Sequence, residues 1–320
     1  MKVSSLTKTA VVTYLGFTIG ATSAVSASEK PGAVLRDCPT CPEMVVVPPG
    51  KFSMGSDHIE AMRGNEMRPE GPVRQVTIGK AFAAGKYEVT NAQFGAFLAA
   101  SGYKPAAACQ IWGGVDVVQG KTWRDPDYGR PPQDSEPVVC VTWNDAKAYT
   151  AWLSASTGKK YRLLTEAEWE YAAKAGSTAK WPWGDDAQKI CEYANVYDAT
   201  GRADPRQTND GGDPKAPKAE CSDGQAIVAS VGQYKPNAFG LYDMVGNVWE
   251  WTEDCSAPGL YPDKPVDGSA VQVQGACEKR AVRSASWRTR LSRQRVSFRG
   301  RDPEPTASNI FGFRVARDLD

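Results

Sequence analysis

The run Asn237-Ala-Phe-Gly-Leu-Tyr-Asp-Met-Val-Gly-Asn-Val-Trp-Glu-Trp251 leads from an ordinary turn to a carboxylate, Glu250, that could close a metal site. Its mix of Gly, Asn and aromatic residues is neither a helix nor a strand pattern. It suits a compact, irregular loop with main-chain carbonyls turned inward. A second chemical feature follows it. Between Arg280 and Arg301 there are eight arginines, interleaved with Trp287 and Phe298. Guanidinium forks bind carboxylates and other anions bidentately, so this segment reads either as an anion or peptide-carboxylate subsite or as arginines that stack on tryptophans or pair with core carboxylates such as Glu168 and Glu170.

Counting removes several chemistries. His58 is the single histidine. A Ser-His-Asp triad or Cys-His pair would have to use it, and a two-His-one-carboxylate iron site would need one histidine more than exists. Formal net charge is +1, which supplies no field for nucleic acid or acidic membranes.

The eight cysteines are an even number. Together with the N-terminus they point to an oxidising compartment. Lys2 and Lys8 precede a mostly small or apolar segment, and Val25-Ser26-Ala27 offers cleavage-type residues, so residues 1–27 read as a secretory signal. A periplasmic or secreted location follows, with no stable membrane insertion. Proximity in sequence suggests the pairs Cys38–Cys41, Cys109–Cys140, Cys191–Cys221 and Cys255–Cys277, although sequence alone does not fix connectivity. The last three would close loops of roughly 20–30 residues, each worth about 3 kcal/mol in the chain-entropy model. Cys38-Pro-Thr-Cys41 could instead be a redox-active pair or half of a zinc site, but a second CxxC and a nearby histidine are missing for zinc, and no thioredoxin-like βαβ pattern accompanies it.

The elements that must position these residues are few. Met44–Met54 reads as a strand entering a turn, and Val73–Val89 as extended. Thr90 can cap a helix through Ala92–Ala100, with Phe94, Phe97 and Leu98 on one face. Residues 104–137 read as loop, and Val138–Thr142 as a short buried strand. A helix over Asn144–Ser156 places Ala148, Trp152 and Ala155 on one stripe and ends at Gly158. Thr165-Glu-Ala-Glu168 is a capping box opening a helix over Glu166–Lys174 that closes at Gly176. From Ser177 to Ser284 strand and helix signals nearly vanish, yet aromatic content rules against disorder. That span reads as ordered loop held by cross-links and metal. Gly312–Ala316 reads as a closing strand. Neither an internal repeat nor a linker is visible, so residues 28–43 form an N-terminal segment and 44–320 a single domain.

These residues resemble the formylglycine-generating enzyme, or sulfatase-modifying-factor, family. The likeness runs in order through Val47-Pro-Pro-Gly-Lys-Phe-Ser-Met-Gly55, Tyr87-Glu-Val-Thr-Asn91, Val141-Thr-Trp-Asn-Asp-Ala146 and Tyr161–Ala173. It continues through the opening run, Ser286-Trp287 and Gly312-Phe-Arg314. The resemblance implies a mixed α+β fold of low regular secondary structure, distantly like C-type lectins. It also implies two structural calcium ions. Asn195, Val196, Asp223 and Gln225 would hold one, and Asp243, Gly246, Val248 and Glu250 the other. Carboxylates, an amide and main-chain oxygens suit calcium, which takes six to eight oxygen ligands.

The family's oxidase uses two cysteines just after the Gly-Ser-Trp/Tyr motif to bind copper, and it converts a sulfatase cysteine to formylglycine. Here Thr289 and Gln294 stand at those places, and no cysteine follows Cys277. Hydroxyl and amide groups are poor Cu(I) ligands, so a copper site is not expected. Arg283-Ser-Ala-Ser286 also stands where paired glycines are expected. Ser286, Trp287, Arg288, Arg290 and Arg293 are the candidate substrate-pocket residues, with a peptide or protein as the expected partner. The family includes an exported branch implicated in maturing the chromophore of pyoverdine siderophores, so one reading is a maturation enzyme that oxidises its substrate without thiolates. The other is a non-catalytic, calcium-stabilised binding module.

Overall fold

The computed structural model describes Met1 and residues 30–61, 67–111, 117–204, 218–256 and 264–319. The predicted signal segment lies outside the described residues. Two sheets carry the fold. The first is five-stranded, in the order Val34–Leu35, Met44–Val47, Phe82–Gly85, Val315–Asp318, Tyr161–Leu163, all antiparallel. The second is four-stranded, in the order Gly300–Asp302, Arg280–Arg283, Trp249–Cys255, Phe311–Phe313, the last pair parallel.

Alternation along the first sheet explains why its strands are apolar throughout. Met44 and Val46 face one core, and Val45 and Val47 face another. Ala83 and Val315 point to the first core, while Ala84 and Ala316 point to the second. A strand buried on both faces loses the polar half of the usual period-two pattern.

Three helices cover the sheet. α1 (Asn91–Ser101), α2 (Trp143–Thr157) and α3 (Glu166–Lys174) each open on a complete capping box, from Thr90, Thr142 and Thr165. α1 and α2 meet through Phe94, Phe97 and Tyr149, with Phe313 edge-on to Phe94 and Tyr149. The buried face of α2 centres on Ala146, Tyr149 and Leu153. The expected stripe of Ala148, Trp152 and Ala155 is therefore rotated: Ala155 is exposed, and Trp152 flanks the face against Phe97.

Other expectations shift as well. Val138–Thr142 is buried but not a strand. Cys140 takes a left-handed φ of 57°, which breaks any ladder there. α3 ends on Ala175 in the left-handed region, one residue before the expected Gly176. The 104–137 region contains a small hairpin, Ala108–Gln110 with Val117–Gln119. The expected closing strand divides at Arg314, where the chain passes from the second sheet to the first. The span read as loop holds two strands of the second sheet, plus the short helices α4 (Ile190–Tyr193) and α5 (Ala199–Ala203). All four cysteine pairs form as expected.

Candidate functional site

Arg314 sits where the chain changes sheets, so its fully buried side chain points into the junction. Its guanidinium donates to Glu250 through Nε and Nη2, to the Gly85 carbonyl (2.8 Å) and to the Tyr242 carbonyl (2.8 Å). Glu250 also accepts 2.7 Å from the Trp169 indole. Around this pair lie two further buried acids, Glu88 and Asp243. Burial raises Glu88 well above the usual carboxylate range, and the charges of Asp243 and Glu250 add to it. Burial likewise lifts Asp243 to about 6. Three acids thus share one cation, and an uncompensated buried charge is costly.

Asp243 carries an orphaned oxygen. Its Oδ2 accepts from the Gly232 amide at 2.7 Å, while its buried Oδ1 has no hydrogen-bond partner. The first expected site has the same signature. Asn195 donates through Nδ2 to the Ile227 carbonyl, but its buried Oδ1 is unpartnered. Nearby, Asp223 accepts from the amides of Val196 (2.8 Å) and Gln225 (2.7 Å), and burial pushes it to about 7, Asp198 adding to the rise. Among the described residues no three His, Cys, Asp or Glu side chains are grouped to hold a metal by themselves. An ion would therefore need main-chain oxygens, as Val196, Gly246 and Val248 offer. An orphaned oxygen in each set, with no thiol or imidazole present, fits a hard oxygen-seeking cation.

The two sets are packed against each other. Gly246 (φ 80°) approaches so closely that a Cβ there would lie 2.2 Å from the Asn195 carbonyl oxygen. Asn247 ties the whole region together. Its Nδ2 donates to Glu88 (2.7 Å), its Oδ1 accepts from Ala229 (3.0 Å) and from Asn195 (3.2 Å), and its carbonyl accepts from the Trp287 amide (2.8 Å). Glu88, Asn247 and Arg314 were not assigned roles from sequence, although each lies within a motif quoted above.

The last contact leads to Ser286–Gln294. Thr289 and Gln294 are in contact. The buried Gln294 amide donates to the carbonyls of Ser286 and Thr289, both at 2.9 Å, and Thr289 Oγ1 bonds the Ser286 amide and hydroxyl. The two positions are filled by hydrogen bonds that close the loop on itself. All eight cysteines are in disulfides, so no thiol is left to serve them. Ser284 and Ala285 keep left-handed φ values of 85° and 81°, although neither is glycine. The Ser284 hydroxyl donates to the Gly246 carbonyl at 3.0 Å.

The candidate pocket residues Ser286, Trp287 and Arg288 are buried, whereas Arg290 and Arg293 are half-buried. Most arginines of the segment pair with acids. Arg283 bonds Glu170 and Glu166, Arg299 bonds Glu166, Arg280 bonds Glu304, and Arg293 and Arg295 meet Glu60. Glu168 pairs instead with Arg162. His58 is exposed beside Glu60 at 3.2 Å. A shallow cleft, partly open to solvent, lies among Trp183, Tyr193, Lys235, Met244 and Asp243. Trp181, Trp183 and Tyr193 stack beside it.

These features define a class. Residues 30–319 match the sulfatase-modifying factor enzyme 1-like domain, and the chain belongs to that family. The inactive C-alpha-formylglycine-generating enzyme 2 of Bos taurus is 35% identical over 309 residues, covering 85% of this chain and 87% of its own. The formylglycine-generating enzyme of Streptomyces coelicolor is 32% identical, covering 92% of this chain and 95% of its own. Among solved structures, PvdO from Pseudomonas aeruginosa superposes with a TM-score of 0.73 at 37% identity, over 91% of this chain and 99% of that one. No helix among the described residues is long and apolar enough to cross a membrane.

Proposed function

We propose that this chain is an exported maturation factor that oxidises a peptide or protein substrate without a copper–dithiol centre, on a scaffold held by two calcium ions. The observation that carries the reading is the Gln294 amide locked to Ser286 and Thr289 where a thiolate pair would be needed. With soft ligands gone, proton movement at the substrate falls to oxygen and nitrogen groups, Glu, Tyr or Arg. Arg290, half-buried at the same loop, would orient a substrate carboxylate, with Arg293 joining it on leaving Glu60. Asn195, Val196, Asp223 and Gln225 would hold one ion, and Asp243, Gly246, Val248 and Glu250 the other. The ions would supply positive charge to the buried acids and fix the loops that bear on Ser286 and Trp287. Export is supported by the N-terminal residues 1–27 and by four disulfides.

A second reading is a calcium-stabilised binding module without catalysis. It is favoured by the hydrogen bonds that tie Thr289 and Gln294 to the loop's own backbone, and a relative at 35% identity carries the name inactive. One experiment addresses both. The purified chain is assayed for metals and oxygen uptake with copper and a sulfatase-type cysteine peptide, then with exported peptides, products being read by mass spectrometry. Calcium without copper and an unchanged cysteine peptide are expected. Loss of two hydrogens from another peptide supports the enzyme, and capture with no mass change supports the module. Stoichiometric copper with the cysteine converted to aldehyde overturns the proposal.

A further inference from the structure

The first ion site is assembled from two chain segments that are far apart in sequence. Asn195 and Val196 follow α4, while Asp223 and Gln225 lie beyond residue 217. Cys191 stands in α4, four residues before Asn195, and Cys221 stands two before Asp223. Their disulfide, across a sequence separation of 30, joins the two ligand-bearing segments next to the ligands themselves. Asp198 completes the junction. It is fully buried, it accepts from the Gly201 amide at 2.9 Å and from the Asp223 amide at 2.5 Å, and Cys191 Sγ lies 3.8 Å from its carboxylate. The Ala199 amide donates to the Cys221 carbonyl at 3.2 Å, and the Val196 amide to Asp223 at 2.8 Å.

We infer that the Cys191–Cys221 disulfide and cation binding at the Asn195–Asp223 site are thermodynamically linked, so that the site forms only in the oxidised chain. The inference rests on the calcium reading above. The buried Asp198 and the half-buried Asp223 each accept a main-chain amide from the other segment across this junction, so bringing the two acids together without a cation is unfavourable. The disulfide holds the segments together before the ion arrives, and the ion neutralises what the disulfide has assembled. Asp198, outside the expected ligand set, is a positioning residue: it fixes the Asp223 amide and adds negative charge.

The redox step is a two-electron reduction by a dithiol. The sulfur–sulfur bond breaks, two electrons and two protons pass to Cys191 and Cys221 as thiols, and the dithiol closes to its own disulfide. Once cut, the segments are joined only through the intervening chain, and the local concentration of Asp223 at Asn195 falls. Linkage is reciprocal, so calcium must resist the reduction by the factor with which the disulfide favours calcium.

Calcium binding is measured by titration calorimetry and terbium luminescence on the wild-type chain, on Cys191→Ser/Cys221→Ser, and on Cys255→Ser/Cys277→Ser as control. Two ions are expected in the wild type and control. In the first double variant one ion is expected, the other weakened at least about tenfold, following the lost loop restraint. Should that variant not fold, wild-type protein is treated with dithiothreitol in calcium or in chelator, and alkylated Cys191 and Cys221 are counted by mass spectrometry. Calcium is expected to slow reduction of this pair selectively. A wild type that binds no calcium overturns the ion reading itself. Two ions at unchanged affinity in the variant, or equal reduction rates with and without calcium, overturn the linkage alone.

Discussion

Removing divalent cations is expected to lower the melting temperature by about 6–10 °C. The reason lies in the acids around Arg314. Glu88, Asp243 and Glu250 are buried with a single guanidinium among them, and Asp243 Oδ1 has no donor. Without an ion, folding must bury charge that nothing neutralises, or else keep Glu88 and Asp243 protonated. Extracellular calcium modules bind with Kd of roughly 10⁻⁴–10⁻³ M. At about 10 mM calcium each ion then contributes about 1.4–2.7 kcal/mol by mass action, and two contribute about 3–5 kcal/mol. At about 2 °C per kcal/mol for a chain of this size, that gives the shift stated. The assay is differential scanning calorimetry in EDTA, in calcium after EDTA removal, and in magnesium, which should substitute poorly because it demands tight octahedral geometry. Asp243→Ala should lose about half of the calcium-dependent shift. Scans in EDTA and calcium that overlay within about 1 °C, for wild type and variant alike, would refute the reasoning.

Arg314→Met is expected to destabilise the chain by about 3–5 kcal/mol in urea unfolding, because it strands Glu250 beside Asp243 and Glu88. Arg314→Lys should rescue little, since one ammonium cannot reach Glu250 and the carbonyls of Gly85 and Tyr242 together. Burial raises Asp302 to about 6, only partly opposed by Arg68, Lys279 and Arg301. A raised acid contributes stability below its unfolded value near 4 that is lost as pH rises through about 6. Asp302→Asn should therefore match wild type at pH 4 and exceed it by about 1–2 kcal/mol at pH 7.5 in parallel melts. Ala285→Val should lose at least about 2 kcal/mol, since a branched side chain meets both a left-handed φ of 81° and a filled core. Ala285→Gly should be close to neutral, because strain relief is offset by the lost methyl burial and the flexibility of glycine.

The sequence by itself determined the local devices and which residue types a site could draw on. The three threonine capping boxes declare their helices because the capping partners are three residues apart, within reach of one turn. The single histidine and the lack of any cysteine after Cys277 limit the ligands and nucleophiles that any fold could bring together. The family likeness named Asn195 and Asp243 as candidate ligands, and each carries one of the several buried side-chain oxygens left without a donor among the described residues.

What only the tertiary structure decided depends on contacts between distant segments. Trp249–Cys255 becomes a strand because Phe311–Phe313 and Arg280–Arg283 flank it, and no local pattern encodes those neighbours. The closing strand divides at Arg314 because its guanidinium must reach Glu250 between the two sheets. Glu88 was legible as a motif residue but not as a third acid, since its charge matters only once Asp243 and Glu250 are folded against it across about 160 residues of chain. Nor could the eight arginines of one segment be divided between core pairing and surface from sequence. Arg283 and Arg299 find Glu166 in the interior and Arg293 and Arg295 find Glu60, while Arg290 stays half-buried, because burial of a guanidinium depends on which distant segment brings it a carboxylate.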